Sequence, residues 1–252
     1  MDWTDPHERL DAERIVARDA LLWLDATRGV RLAAEGRVEV WADQSGFGLD
    51  AVAVKPDRGP RRVERDGRSV VEFDGLGELG LPELPALAEL SFFAVASVDA
   101  AGAELRCASM LHLANTTDTI FQKDYIDFRR QKQEFLYQVT TSRITADPES
   151  KGSFTTSTLH LLSVVHRPDE TVSMNLDGKQ LRVASAPLPA LAARSYNFVG
   201  HNHYHEDADT PQCDAYRGQL AELLLFSRAL SEDERSHLER ELADRWRVEL
   251  RE

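Results

Sequence analysis

The run Val172-Ser173-Met174-Asn175-Leu176-Asp177-Gly178-Lys179-Gln180-Leu181-Arg182-Val183 decides the fold class. Apolar and polar residues alternate from Val172 to Leu176, the period that turns one face of a strand to a core. Asp177-Gly178 follows, the pair favoured in tight two-residue hairpin turns. Leu181-Arg182-Val183 then reads as the return strand.

Outward from this hairpin the same signal recurs. Strand-like runs lie at Leu22 to Leu24, Val38 to Trp41, Ala51 to Val54, Val70 to Phe73, Leu90 to Val98 and Leu105 to Leu113. More follow at Ile120 to Phe128, Phe135 to Thr140, Leu159 to Val165, Tyr196 to Val199 and Gln219 to Phe226. A dozen short strands separated by turn signals predict an all-β antiparallel sandwich. Two helices frame it. Ser231-Glu232-Asp233-Glu234 is a capping box, and Leu238, Leu242 and Trp246 repeat four residues apart on one face. Thr4 to Arg18 reads as a helix capped by Asp5 with Pro6 in its first turn. The expected organisation is an N-terminal helical extension, 1–19, and one sandwich domain with its closing helix, 20–252.

The chain has 252 residues, 30 Lys and Arg against 43 Asp and Glu, and a formal net charge of −13. That balance argues against nucleic acid, whose phosphates need clustered cations, and no apolar run is long enough for membrane insertion. The opening Met1-Asp2-Trp3-Thr4-Asp5 has no basic or apolar leader region. Synthesis in the cytoplasm without a Sec signal peptide is expected, with release or display as part of a particle as the alternative to staying there. Cys107 and Cys213 are read as two separate thiols, with a disulfide between them as the alternative.

Several segments, taken in order, resemble the bacterial laminin-G-like, concanavalin A-like jelly-roll family of lectins and glucanases. They are Leu22-Trp23-Leu24-Asp25-Ala26, Trp41-Ala42-Asp43-Gln44-Ser45-Gly46 with Asp50-Ala51, Val70-Val71-Glu72-Phe73-Asp74-Gly75, the Asp177-Gly178 hairpin, and the closing Tyr216-Arg217-Gly218-Gln219-Leu220-Ala221-Glu222 to Ser231. The resemblance spans about residues 20 to 248 and implies a two-sheet jelly roll with a C-terminal helix. It specifies fold better than function, because such folds host many unrelated sites. Physically, Asp43 and Ser45 suit a turn that accepts backbone N–H groups. Trp23, Trp41, Phe73 and Phe226 read as core residues rather than a ligand platform.

Three constellations carry candidate chemistry. Glu72, Asp74 and Glu78 loosely match the acidic strand of laminarinase-like glucanases, with the last acid one residue late. His201, His203 and His205 alternate and would point one way on an extended chain, as zinc or nickel ligands do. Members of the laminin-G-like family often hold one calcium at a rim, and Asp207, Asp209 and Asp214 are the loop carboxylates suited to it, with Asp25, Asp74 and Glu222 as a second set. No cofactor is required; calcium ranks above zinc or nickel. Tyr196, Tyr204 and Tyr216, with the three histidines, form the candidate ligand-binding set, since tyrosines stack on sugar faces.

No nucleophile elbow, HExxH helix or phosphate-binding loop occurs in the sequence. The expectation is a non-catalytic module that recognises a glycan or a protein surface through rim loops. The alternative is a structural or receptor-binding subunit of a phage-tail-like or contractile injection particle, anchored through Met1 to Arg18. A glycan-active hydrolase ranks third.

Overall fold

A computed structural model describes residues 19–99, 108–115, 125–131, 134–139, 142–145, 157–202 and 215–251. The expected N-terminal helix, Cys107, Cys213, His203, Tyr204, His205, Asp207, Asp209 and Asp214 lie outside the described residues.

In chain order the strands are β1 (Ala20–Asp25), β2 (Val30–Leu32), β3 (Val38–Trp41), β4 (Ala51–Ala53), β5 (Arg61–Arg65), β6 (Arg68–Asp74), β7 (Leu79–Leu81), β8 (Leu90–Val98) and β9 (Ala108–Ala114). They continue as β10 (Tyr125–Gln131), β11 (Glu134–Val139), β12 (Ser142–Thr145), β13 (His160–His166), β14 (Thr171–Leu176), β15 (Lys179–Ser185), β16 (Tyr196–Val199) and β17 (Arg217–Phe226), and one helix follows, α1 (Glu232–Trp246).

Two antiparallel sheets form a jelly-roll-like sandwich. One runs β15-β14-β13-β8-β17-β6-β5, with β1 also paired to β17; the other runs β12-β11-β10-β9-β16-β7-β4-β3-β2. The hairpin that set the fold class joins β14 to β15, with Asp177 at φ 52° and Gly178 at φ 81°, the left-handed pair such a turn needs. Strands missed in the sequence are mostly edges. β2, β5 and β12 each close one side of a sheet, and Arg61 to Arg65 is strongly charged, as edge strands often are. The strand expected at Ile120 to Phe128 is described from Tyr125 and continues to Gln131, through two arginines that an apolar pattern excludes.

The core lies between the sheets, where Phe92 of β8 stacks on Phe128 of β10 at 3.9 Å, and Phe128 on Tyr137 of β11 at 5.1 Å. Trp41 and Phe73 are buried as expected; Phe226 is buried too, against Phe93 on the helix side of the eight-stranded sheet, and Trp23 is partly buried. The Asp43 turn is tied as its sequence suggested. Asp43 accepts the backbone N–H of Trp23 and Ser45 at 2.9 Å each and that of Leu49 at 3.1 Å.

Helix α1 begins at the expected capping box and buries Leu238, Leu242 and Trp246. It covers part of the outer face of the eight-stranded sheet. Glu222 of β17 accepts the indole N–H of Trp23 at 2.8 Å and of Trp246 at 2.5 Å, while Arg245 donates to it at 2.6 Å. Ser163 of β13 donates to Glu239 at 2.5 Å, and Asn175 of β14 donates to Ser163 at 3.0 Å. These bonds fix where the helix ends, and so which half of that face stays open. Among the described residues no helix is long and apolar enough to cross a membrane.

Candidate functional site

Strand alternation sorts β9, β10 and β11 into two sets. Leu111, Leu113, Ile126, Phe128, Phe135 and Tyr137 belong to the core. The opposite set, turned to the outer face of the nine-stranded sheet, contains His112, Tyr125, Asp127, Arg129 and Gln138, and all five are buried.

Register makes them neighbours. Gln138, Asp127, His112 and Phe198 stand directly opposite one another on β11, β10, β9 and β16. Three strand spacings separate the ends of this row, about 14 Å. A second row places Ala114 between Tyr125 and Tyr196. A small residue thus lies between two tyrosines, beside a row that passes from charged to aromatic.

The polar end is a bonded network. Arg129 donates to Asp127 at 3.0 Å and to Gln138 at 2.7 Å, and the Gln138 amide donates to the Tyr125 hydroxyl. His112 Nδ1 lies 3.6 Å from Asp127 Oδ1, and the His112 and Tyr125 rings are 5.6 Å apart. Burial pushes the Asp127 carboxyl up, but His112 and Arg129 outweigh it and hold the group below its ordinary value. Asp127 is therefore an ionised acceptor. Both ring nitrogens of His112 and Oδ1 of Asp127 have no hydrogen-bond partner. Buried polar atoms are rarely left so, because each costs about 1–3 kcal/mol.

The sequence-predicted residues fall as follows. Tyr196 stands at the start of β16 on this outer face, half-buried, with its ring 6.3 Å from that of Phe198. His201, two residues past the end of β16, keeps 26% of its side chain exposed, with Nδ1 3.4 Å from Glu78 Oε2. The two flank the same short strand. Tyr216 is placed in the core, 1% exposed, edge-on to Phe73, its hydroxyl donating to the Ser97 carbonyl at 2.8 Å. Burial pushes that hydroxyl's pKa up, in keeping with a donor that stays protonated.

The acidic triplet is split. Glu72 and Asp74 share the outer face of the eight-stranded sheet, where they line a cavity of about 340 Å³. Glu78 is turned to His201 instead. Of the second calcium set, Asp25 binds Thr27 and Arg28, and Glu222 is taken up by the two indoles and Arg245. Among the described residues no three His, Cys, Asp or Glu side chains converge as a metal site.

His112, Asp127, Arg129 and Gln138 were not singled out from sequence. Their signal was present in Tyr125-Ile126-Asp127-Phe128-Arg129, where polar and apolar positions alternate. Alternation alone assigns the polar positions to solvent, and only the fold reveals that they are buried.

No protein-family model matches the chain, and neither does any curated protein. Solved structures are similar in fold. Domain 4 of an extracellular arabinanase from Geobacillus stearothermophilus, in complex with arabinotriose, superposes with a TM-score of 0.63 at 11% identity, covering 87% of this chain and 98% of that one. The binding domain of botulinum neurotoxin serotype D/C gives 0.63 at 8% identity, covering 90% and 53%. A Trypanosoma rangeli sialidase variant with trans-sialidase activity gives 0.57 at 12% identity, covering 95% and 38%.

Proposed function

We propose that this chain is a non-catalytic glycan-recognition module, and that it takes its ligand on the outer face of the nine-stranded sheet beside β16. The observation that carries this reading is the register of this face, which sets Tyr196 and Phe198 of β16 beside the bonded row of His112, Asp127, Arg129 and Gln138. Sugars need that combination. Hydroxyls both donate and accept, so they suit a polar rim, while the C–H face of a sugar ring packs on an aromatic side chain. Tyr196 and His201 form the rim in this proposal.

The arabinanase domain, bound to arabinotriose, supports a glycan ligand at the level of shared fold. A low Asp127 pKa suits an acceptor rather than a general acid, which must hold its proton near neutral pH. The finer kinship, laminin-G-like, rests on the Asp43 turn and the closing β17–α1 signature.

A glycan array probed with the full chain tests the reading. The expected outcome is retention of a restricted glycan set, arabino-oligosaccharides among those tried, with Tyr196→Ala and His201→Ala each weakening it about tenfold. Uniform silence across the array, or retention indifferent to both substitutions, contradicts it.

A further inference from the structure

The opposite sheet carries a second polar hollow, and we propose that it is an independent binding pocket for one or two residues of a neutral sugar. It lies on the part of the eight-stranded sheet that α1 leaves open. The pairing of β6, β17 and β8 builds a small lattice there. Asp74 stands opposite Arg217, Glu72 opposite Gln219, and Gln219 opposite Ser97. Asp99 continues β8, its backbone N–H donating to the Arg217 carbonyl at 3.3 Å and its carboxylate 3.5 Å from the Arg217 guanidinium.

Arg65 forms a wall. It reaches from the end of β5 to donate to Gln219 Oε1 at 2.5 Å and to the carbonyl of Ser157. The hollow is open on one side, and its volume, about 340 Å³, lies at the small end of ligand pockets, which run to about 300–1,000 Å³.

The lining chooses the ligand class. Two arginines, Arg65 and Arg217, nearly balance the three carboxylates, so the ligand need bring no strong charge of its own. Donors (Arg65, Arg217, Gln219) and acceptors (Glu72, Asp74, Asp99) alternate at strand spacing. Adjacent hydroxyls of a sugar ring present the same alternation, each able to give and take one bond. Arg217 and Asp99, 40% and 43% exposed, form the open lip. Glu72 accepts from Gln219 at 3.1 Å.

The test is amide chemical-shift mapping on the ¹⁵N-labelled full chain. The probes are arabinose, galactose, maltose and lactose, each raised to about 50 mM to reach millimolar affinity. The pocket predicts saturable shifts at Glu72, Gly218 and Gln219 with at least one probe. Glu72→Gln and Gln219→Ala should each weaken that probe about tenfold, while shifts near Tyr196 persist. Shifts confined to His112 and Tyr196–Val199 overturn the pocket and leave the sheet-face reading standing. Shifts confined to the pocket uphold it and count against that reading. Movement of the pocket amides by glycylglycine but by no sugar assigns the wrong ligand class and also overturns the proposal.

Discussion

Asp127 is ionised only because of its neighbours. Alone at full burial a carboxylate would take a proton, and Arg129 at 3.0 Å with His112 at 3.6 Å reverses that preference. The pair is worth little net, since desolvation offsets attraction, yet breaking it leaves a buried guanidinium uncompensated. Asp127→Ala should therefore cost about 3–5 kcal/mol in urea unfolding, far above a surface substitution. His166 makes the opposite choice. Its Nε2–H faces the Ala186 carbonyl at 3.1 Å, and its Nδ1 accepts from the Tyr137 hydroxyl at 2.9 Å. Burial holds its pKa below the ordinary 6.5. Below that pH the unfolded chain binds a proton that the folded chain resists, so stability contributed by neutral His166 is complete above 6.5 and is lost as pH falls. Unfolding midpoints taken between about pH 7.5 and 5 should decline, and His166→Gln should flatten part of that decline.

At the scale of elements, β16 is the hinge between core and site. Gly200 follows it at φ 83°, and a Cβ there would lie 2.1 Å from the Phe73 ring. Gly200→Ala should combine backbone strain with overpacking, about 2–5 kcal/mol by thermal or urea unfolding, and should displace His201. What the sequence made legible at this scale was local. The Asp177-Gly178 turn, the Asp43 turn and the Ser231 cap each rest on residues close in the chain, and each was found where expected. Arg61 to Arg65 was missed because an edge strand needs no apolar face. The Asp127 network was missed for a different reason. Its members come from three strands, and the register that joins them is set by tertiary pairing. Tyr196 and His201 were legible as candidates because they flank one strand; that Tyr196 shares an outer face with Asp127 was not.

For the whole molecule, the sandwich gives two outer faces with different fates. Helix α1 closes part of one through Glu222, Ser163 and Glu239. What remains of that face holds the Glu72 hollow, and the other sheet holds the Asp127 network. Two sugar-binding positions on opposite faces would let one chain bridge two glycan strands, and weak single sites would then gain by avidity. The net charge of −13 keeps such a module from acidic surfaces generally, which favours neutral glycans. The most direct test of the central claim is a crystal structure of the full chain with the oligosaccharide best retained on the array. Sugar lying beside β16, with a ring against Tyr196 and hydroxyls at His201, is the predicted result. Sugar bound anywhere else, with the nine-stranded face empty, would contradict the account.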